Sequence, residues 1–530
     1  MQLSRRDFLK DMAFAAAIAG LPNWMTDLDE APPMEMLSLN AGAYPWQWTP
    51  SSDIGQGNPI ITTLNRIAFG PRPGDFERVQ QIGIDAYIEE QLAPEKIDDS
   101  TLDARLAQNY PTLKMSALEL FQKYPQPAPG TKPQPSTTPQ QVILELQEAT
   151  VLRALYSQRQ LQEMLVDFWS NHFSIFIGKN QAKWLKTVDD REVIRKNAFG
   201  KFKELLLASA QSPAMLEYLD NQLNVKGVAN ENYAREIMEL HSLGVDGGYT
   251  QKDVAELARA LTGWGYKAPR RIAGVFNLDG AGLFEFDPRE HDNGAKRILG
   301  IDLPANGGIN DGLKMIDVLA HHPSTARFIA RKLVTRFVSD TPPDALVQRA
   351  AESFLKTDGD IRQVLSVILH LDEFKNSFAQ KIKRPFELVV SALRAVDAQL
   401  EDARAIALAL RAMGQGLFLL TTPDGYPDTG AAWINTSALL ARWNYALLVG
   451  ANRVPRGKID FAAALKNLKS RTVGEVVDYS INDLLHRTIP EKDRQKLIDA
   501  FGGKPAANFD LARAPELVAL ILASPHFQYR

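Results

Sequence analysis

Apolar residues recur at three- and four-residue spacing over most of the chain from Gln141 onward: 141–177, 188–208, 213–224, 230–243, 250–263, 311–320, 323–338, 343–356, 359–371, 383–399, 402–413, 431–449, 459–468, 473–485, 490–501 and 513–523. That period stacks the apolar side chains of each segment on one helical face, so each segment is predicted to be a helix that buries one side. Ahead of them, Ile60 to Leu92 predicts two helical stretches separated by Gly70-Pro-Arg-Pro-Gly74, with Asp75 capping the second. Strand-like alternation is confined to Arg271–Ile301, where Ile272-Ala-Gly-Val-Phe276 and Leu283-Phe-Glu-Phe286 flank Asp279-Gly280. An Asp-Gly pair between alternating segments predicts a hairpin. The expected fold class is mainly α, a large multi-helix body with one small β-hairpin insertion at about residues 271–301.

Two stretches break the helical period. Residues 26–58 hold several Pro, Gly and Ser and read as a linker or extended arm. Between Tyr124 and Gln140, prolines at 125, 127, 129, 133, 135 and 139 cannot continue a helix and predict a loop. Residues 59–530 otherwise read as a single helical domain. At the front, Arg5-Arg6 and Phe8-Leu-Lys10 precede the apolar run Met12–Leu21, the pattern of a twin-arginine signal peptide over residues 1–25. The alternative is an N-terminal amphipathic helix. On the first reading the chain meets the twin-arginine export machinery and works in the periplasm or outside the cell. The apolar run is about half the ~20 residues that a spanning helix requires, and no later stretch reaches that length, so no transmembrane span is expected in the mature chain.

Composition narrows the chemistry. The 530 residues carry 60 Lys+Arg against 63 Asp+Glu, a net charge of −3, which leaves no excess of cations for a nucleic-acid face. Cysteine is absent, which removes disulfides, thiol nucleophiles and thiolate metal sites. Any metal must therefore be held by His, Asp, Glu, Asn or backbone oxygen. Motifs for phosphate loops, dinucleotide folds, serine-hydrolase elbows and His-Glu-x-x-His zinc sites are missing.

The remaining signal is the placement of histidines. Projected at 100° per residue, His172 falls among Leu161, Leu165, Phe168, Trp169 and Phe176, and His241 falls among Tyr233, Ala234, Ile237, Met238 and Leu240. Both point inward, and a buried imidazole needs a partner. Glu236 borders the arc of His241, and the run Glu285–Lys296 offers Asp287, Glu290, His291 and Asp292 on a loop. One reading is that His172, His241 and His291, with Glu236 or Asp292, share a divalent metal, zinc or iron being natural for imidazole ligands. The other is that His172 and His241 are core residues bonded to backbone or to Asn171 and Asn232, while His291 and Asp292 hold their loop. Two further stretches carry weaker signals. Lys381-Ile-Lys-Arg-Pro-Phe-Glu387 reads as a solvated basic turn or as an anion site at a helix start. Asp424-Gly-Tyr-Pro-Asp-Thr-Gly430 reads as a sugar or peptide contact or as a connector.

Ordered blocks run along the chain: Leu64-Asn-Arg-Ile-Ala-Phe-Gly70, Phe168-Trp-Ser-Asn-His-Phe173, Asn230 to His241 with Leu243-Gly244, and His291-Asp-Asn-Gly-Ala-Lys296. Further on come His322 to Ile329, Lys383-Arg-Pro-Phe-Glu387, Trp433-Ile-Asn435 with Leu440 to Asn444, and Ser524-Pro-His-Phe527. Together these blocks resemble the domain-of-unknown-function 1800 family of exported bacterial proteins. The resemblance implies one long, mainly helical, exported domain, whose relatives are often encoded beside a second exported family that resembles alkaline-phosphatase-like enzymes. It carries over no catalytic residues. Where relatives tend to have Lys-Gly-Trp, this chain has Asp424-Gly-Tyr426. The functional expectation is an exported protein that works on or with envelope or surface material, with a His/carboxylate metal site and a hydrolytic or oxidative role. The alternative is a non-catalytic scaffold or partner of an exported phosphatase-like protein.

Overall fold

The computed structural model describes residues 57–127, 130, 134–272, 275–461, 468 and 471–530. The expected signal peptide and nearly all of the expected arm over 26–58 lie outside the described residues. Helices dominate, 24 of them α-helices among the described residues, so the chain is mainly α with small β insertions. Its contacts divide it into two compact units: one from residues up to 81 with 376–416 and 429–530, the other from 82–375 with 417–428.

In the second unit the longest helix, Pro139–Tyr156, is apolar on more than one side, and 12 of its 18 residues are buried. An all-round apolar helix belongs in a core. It starts at Pro139, two residues ahead of the apolar period, because proline lacks only an N–H that the first turn leaves unpaired anyway. Its two buried carboxylates are satisfied: Glu145 accepts from the Thr112 amide at 2.9 Å and hydroxyl at 2.7 Å, and Glu148 accepts from the Tyr110 hydroxyl at 3.0 Å. Helix Gln160–His172 follows, burying Leu161, Leu165, Phe168, Trp169 and His172. Asn230 caps helix Glu231–Glu239 through the Asn232 amide. That helix ends four residues short of its apolar period, in a tight turn closed by the Leu243 amide on the Met238 carbonyl at 2.8 Å. Gly244 completes the turn at φ +82°, where a Cβ would sit 2.9 Å from the Phe328 ring.

The strand region differs from the single hairpin expected. Three antiparallel pairs form: Trp264–Tyr266 with Phe284–Phe286, Arg270–Ile272 with Val275–Asn277, and Lys296–Ile298 with Ile301–Leu303. Asp279-Gly280 still turns the chain, but between strands that each pair elsewhere. The tight hairpin turn with two left-handed residues is Leu299-Gly300, at φ +50° and +78°.

In the first unit, helix Pro385–Ala395 is buried along its whole length, and Thr436–Gly450 packs on Ala514–Ala523. Gly450 permits that approach, since a Cβ there would lie 2.5 Å from the Ala519 Cβ. The basic turn Lys381–Glu387 is not solvated. Lys381, Lys383, Arg384 and Glu387 are all buried, because the turn pairs with the chain at 528–530. No helix among the described residues is long and apolar enough to cross a membrane.

Candidate functional site

The segment 417–428 crosses the second unit as a strap, and helical phase places its anchors. Phe328, Lys332 and Arg336, four residues apart, share one face of helix Pro323–Phe337. Asp167 and Asn171 share a face of Gln160–His172. The Asn171 side-chain amide donates to the Tyr426 carbonyl at 2.8 Å, and its oxygen accepts from the Tyr426 amide at 2.7 Å. Gly425 makes this fit possible, at φ +78° and with the Asn171 carbonyl oxygen 2.2 Å from where a Cβ would stand. Arg336 lies 2.7 Å from Asp167 and 3.5 Å from Asp428. At the other end the Tyr218 hydroxyl donates to the Thr421 carbonyl at 2.9 Å. The Asp424–Asp428 stretch is therefore a pinned element rather than a loose connector.

Ionisable groups collect around it. Glu236 is partly buried, and burial raises its carboxyl above the usual range; Glu239 and Asp424 push the same way and Arg235 opposes. Burial lowers the Lys332 ammonium, with Asp428 and Asp424 opposing. Burial, then Asp424 and Glu236, raise the Tyr218 phenol. The side chains of Glu236, Lys332 and exposed Asp424 have no hydrogen bond or ion pair among the described residues, while Lys332 lies 5.5 Å over the Phe328 ring. A protonatable carboxyl, an ammonium shifted toward neutrality and a solvent-facing carboxylate can together move protons.

Beneath lie His172 and His241, 1% and 0% exposed, with ring centroids 6.0 Å apart. His172 Nε2 donates to the His241 carbonyl at 3.2 Å, so its bond is to backbone. Asn171 instead holds Tyr426, and the Asn232 amide donates to the Leu219 carbonyl. Nδ1 of His172 and both ring nitrogens of His241 find no hydrogen-bond partner among the described residues. Burial first, then the Lys332 charge, holds both imidazoles neutral, His241 down at about 3 and His172 well below its ordinary value.

A depressed histidine makes stability depend on pH in one direction. The unfolded chain takes up the proton near 6.5 and the folded chain does not, so stability is full above 6.5 and is lost as pH falls toward about 3. Between pH 7 and 5, wild type should lose about 2 kcal/mol more than His241→Phe, from ~1.4 kcal/mol per unit below 6.5. Urea midpoints at the two pH values measure it. The His172 bond survives the substitution because its acceptor is backbone.

The other two predicted ligands lie in a different network. His291 Nδ1 donates to the Thr262 carbonyl at 2.8 Å, and its Nε2 sits 3.2 Å from Asp311, which also takes the Lys296 ammonium at 2.7 Å. Asp292 pairs with Arg259 at 2.8 Å, and that bond, with the Gly294 amide, holds its carboxyl down at about 2. Their contacts include none of His172, Glu236 or His241. Among the described residues, no group of three or more His, Asp or Glu is arranged to hold a metal ion. Sequence reasoning missed Lys332, Arg336 and Tyr218. The one available signal was the four-residue repeat Phe328-Lys332-Arg336.

No curated protein matches the chain, and no solved structure does. The family described as protein of unknown function (DUF1800) matches residues 62–529, which takes in both compact units, and the chain belongs to that family.

Proposed function

We propose that the centre beside the 417–428 strap is an acid–base site for hydrolysis, and that the chain carries it outside the cytoplasm to act on envelope polymer. The export half rests on Arg5-Arg6 and the apolar run Met12–Leu21. The observation that carries the chemistry is that the side chains of Glu236, Lys332 and Asp424 have no hydrogen bond or ion pair among the described residues while the groups around them are tied down. A rigid wall with free ionisable groups is the arrangement a proton-transfer site needs.

Each group has one task. Asp424 takes a proton from water as the water oxygen bonds to the scissile carbon. Glu236, whose carboxyl burial and its acidic neighbours raise above the ordinary range, delivers a proton to the leaving oxygen or nitrogen as that bond breaks. Lys332 offsets the negative charge that develops between them. Purified chain incubated with isolated peptidoglycan sacculi should release reducing ends or free amino groups in a time-dependent way. No release from sacculi or from other isolated envelope polymers would overturn the hydrolytic reading.

A non-catalytic partner role is favoured by a different observation. Ile434, Leu439, Leu440 and Trp443 are 52%, 41%, 47% and 38% exposed on or beside helix Thr436–Gly450. Apolar side chains gathered in this way mark protein interaction sites.

A further inference from the structure

Beside the buried basic turn of the first unit lies a partly open cavity of about 20 Å³ whose wall includes Lys383, Arg487, Arg530, His526 and Phe527 among apolar residues such as Ile61 and Leu484. Three features make it a site rather than a packing defect. The turn is fixed: the Lys383 amide donates to the Gln528 carbonyl at 2.9 Å, and the Arg530 amide donates to the Lys381 carbonyl at 2.9 Å. Its one carboxylate is committed, since Glu387 lies 3.2 Å from Arg384 and 3.1 Å from Arg530 and also accepts from the Arg384 amide. Lys383, 4% exposed, is left with the face of Phe527 at 3.6 Å, and neither it nor Arg442 has an ion-pair partner among the described residues. Arg442 behind the turn spends its donors on neutral acceptors, the Lys383 carbonyl at 2.8 Å and Gln528 at 2.9 Å.

Burying an ammonium that has no carboxylate of its own is costly, and neighbouring guanidiniums add to the cost. Burial pushes the Lys383 ammonium well below its ordinary value, with Arg487, Arg530 and Arg442 pushing the same way and Glu387 opposing. A water in the cavity would supply an acceptor but no charge. The space exceeds the ~10–15 Å³ that one water needs and leaves little for a tetrahedral oxyanion.

We propose that this cavity binds one halide-sized anion, chloride being the probe ion, held by Lys383 with Arg487 and Arg530 on its wall. Thermal unfolding of the full chain, titrated from sodium gluconate into sodium chloride at constant ionic strength, should show a saturable rise of about 1–3 °C. Lys383→Met keeps the stem on Phe527 and should abolish that rise. A crystal soaked in bromide should show its anomalous peak beside Lys383, a readout that needs no variant. Equal midpoints in the two salts, a rise that persists in Lys383→Met, a bromide peak absent from the cavity, or a saturable rise given by phosphate and not by chloride would each overturn the proposal.

Discussion

Arg336→Met should lower stability by about 3–5 kcal/mol, the usual cost of removing one partner from a buried ion pair. Arg336 is fully buried, 2.7 Å from Asp167 and 3.5 Å from Asp428, and those carboxylates are only 13% and 14% exposed. Methionine can follow the aliphatic stem but removes the guanidinium, whose Nη2 lies 3.9 Å from the Met164 sulfur, and so withdraws the positive charge from two carboxylates that water reaches poorly. Combining Arg336→Met with Asp167→Asn removes one of those negative charges and should recover part of the loss. Urea unfolding measures both. The contrast is Arg235→Met, whose partner Glu231 sits four residues back on an exposed helix face and whose loss should cost under about 0.5 kcal/mol. Similar losses for the two arginine variants would contradict the account of the strap.

Glu236→Gln should reduce hydrolysis by about 10²–10⁴-fold, the span that general acid catalysis supplies, with the fold intact. Glutamine keeps the shape, and Glu236 has no side-chain bond to lose among the described residues. The pH signs follow from its raised carboxyl. Stability contributed by the protonated form is full below the unfolded value near ~4.3 and is lost as pH rises through the folded value, so the variant should be no less stable than wild type at pH 7. Activity should fall with rising pH over the same interval, because the acid must carry its proton. Unchanged activity in Glu236→Gln would remove it from the chemistry.

Local rules were enough for most helices and for the direction in which two histidines point. Ser116 and Glu119 even carry a capping box for helix Ala117–Lys123, a signal the apolar period alone passes over. Local rules failed where partners are distant. His172 and His241 meet across 69 residues, whereas His291 is claimed by Thr262 and Asp311, and no spacing distinguishes the two fates. The role of Arg336 is invisible in its helix because its partners, Asp167 and Asp428, lie far away along the chain. Lys381–Glu387 misleads for the same reason, since a basic turn is solvated unless another segment, here 528–530, pairs over it. The Asp279-Gly280 signal was real as a turn but silent about which strands it would join.

The acid–base site stands on a Glu236 carboxyl that burial, Glu239 and Asp424 raise above its ordinary range. Titration of the Glu236 carboxyl carbon by NMR in the folded chain tests it without any substrate. The midpoint should lie above the ordinary ~4.3 of glutamate and move down in Asp424→Asn as that negative charge is removed. A midpoint at or below that ordinary value, unmoved by Asp424→Asn, would contradict it.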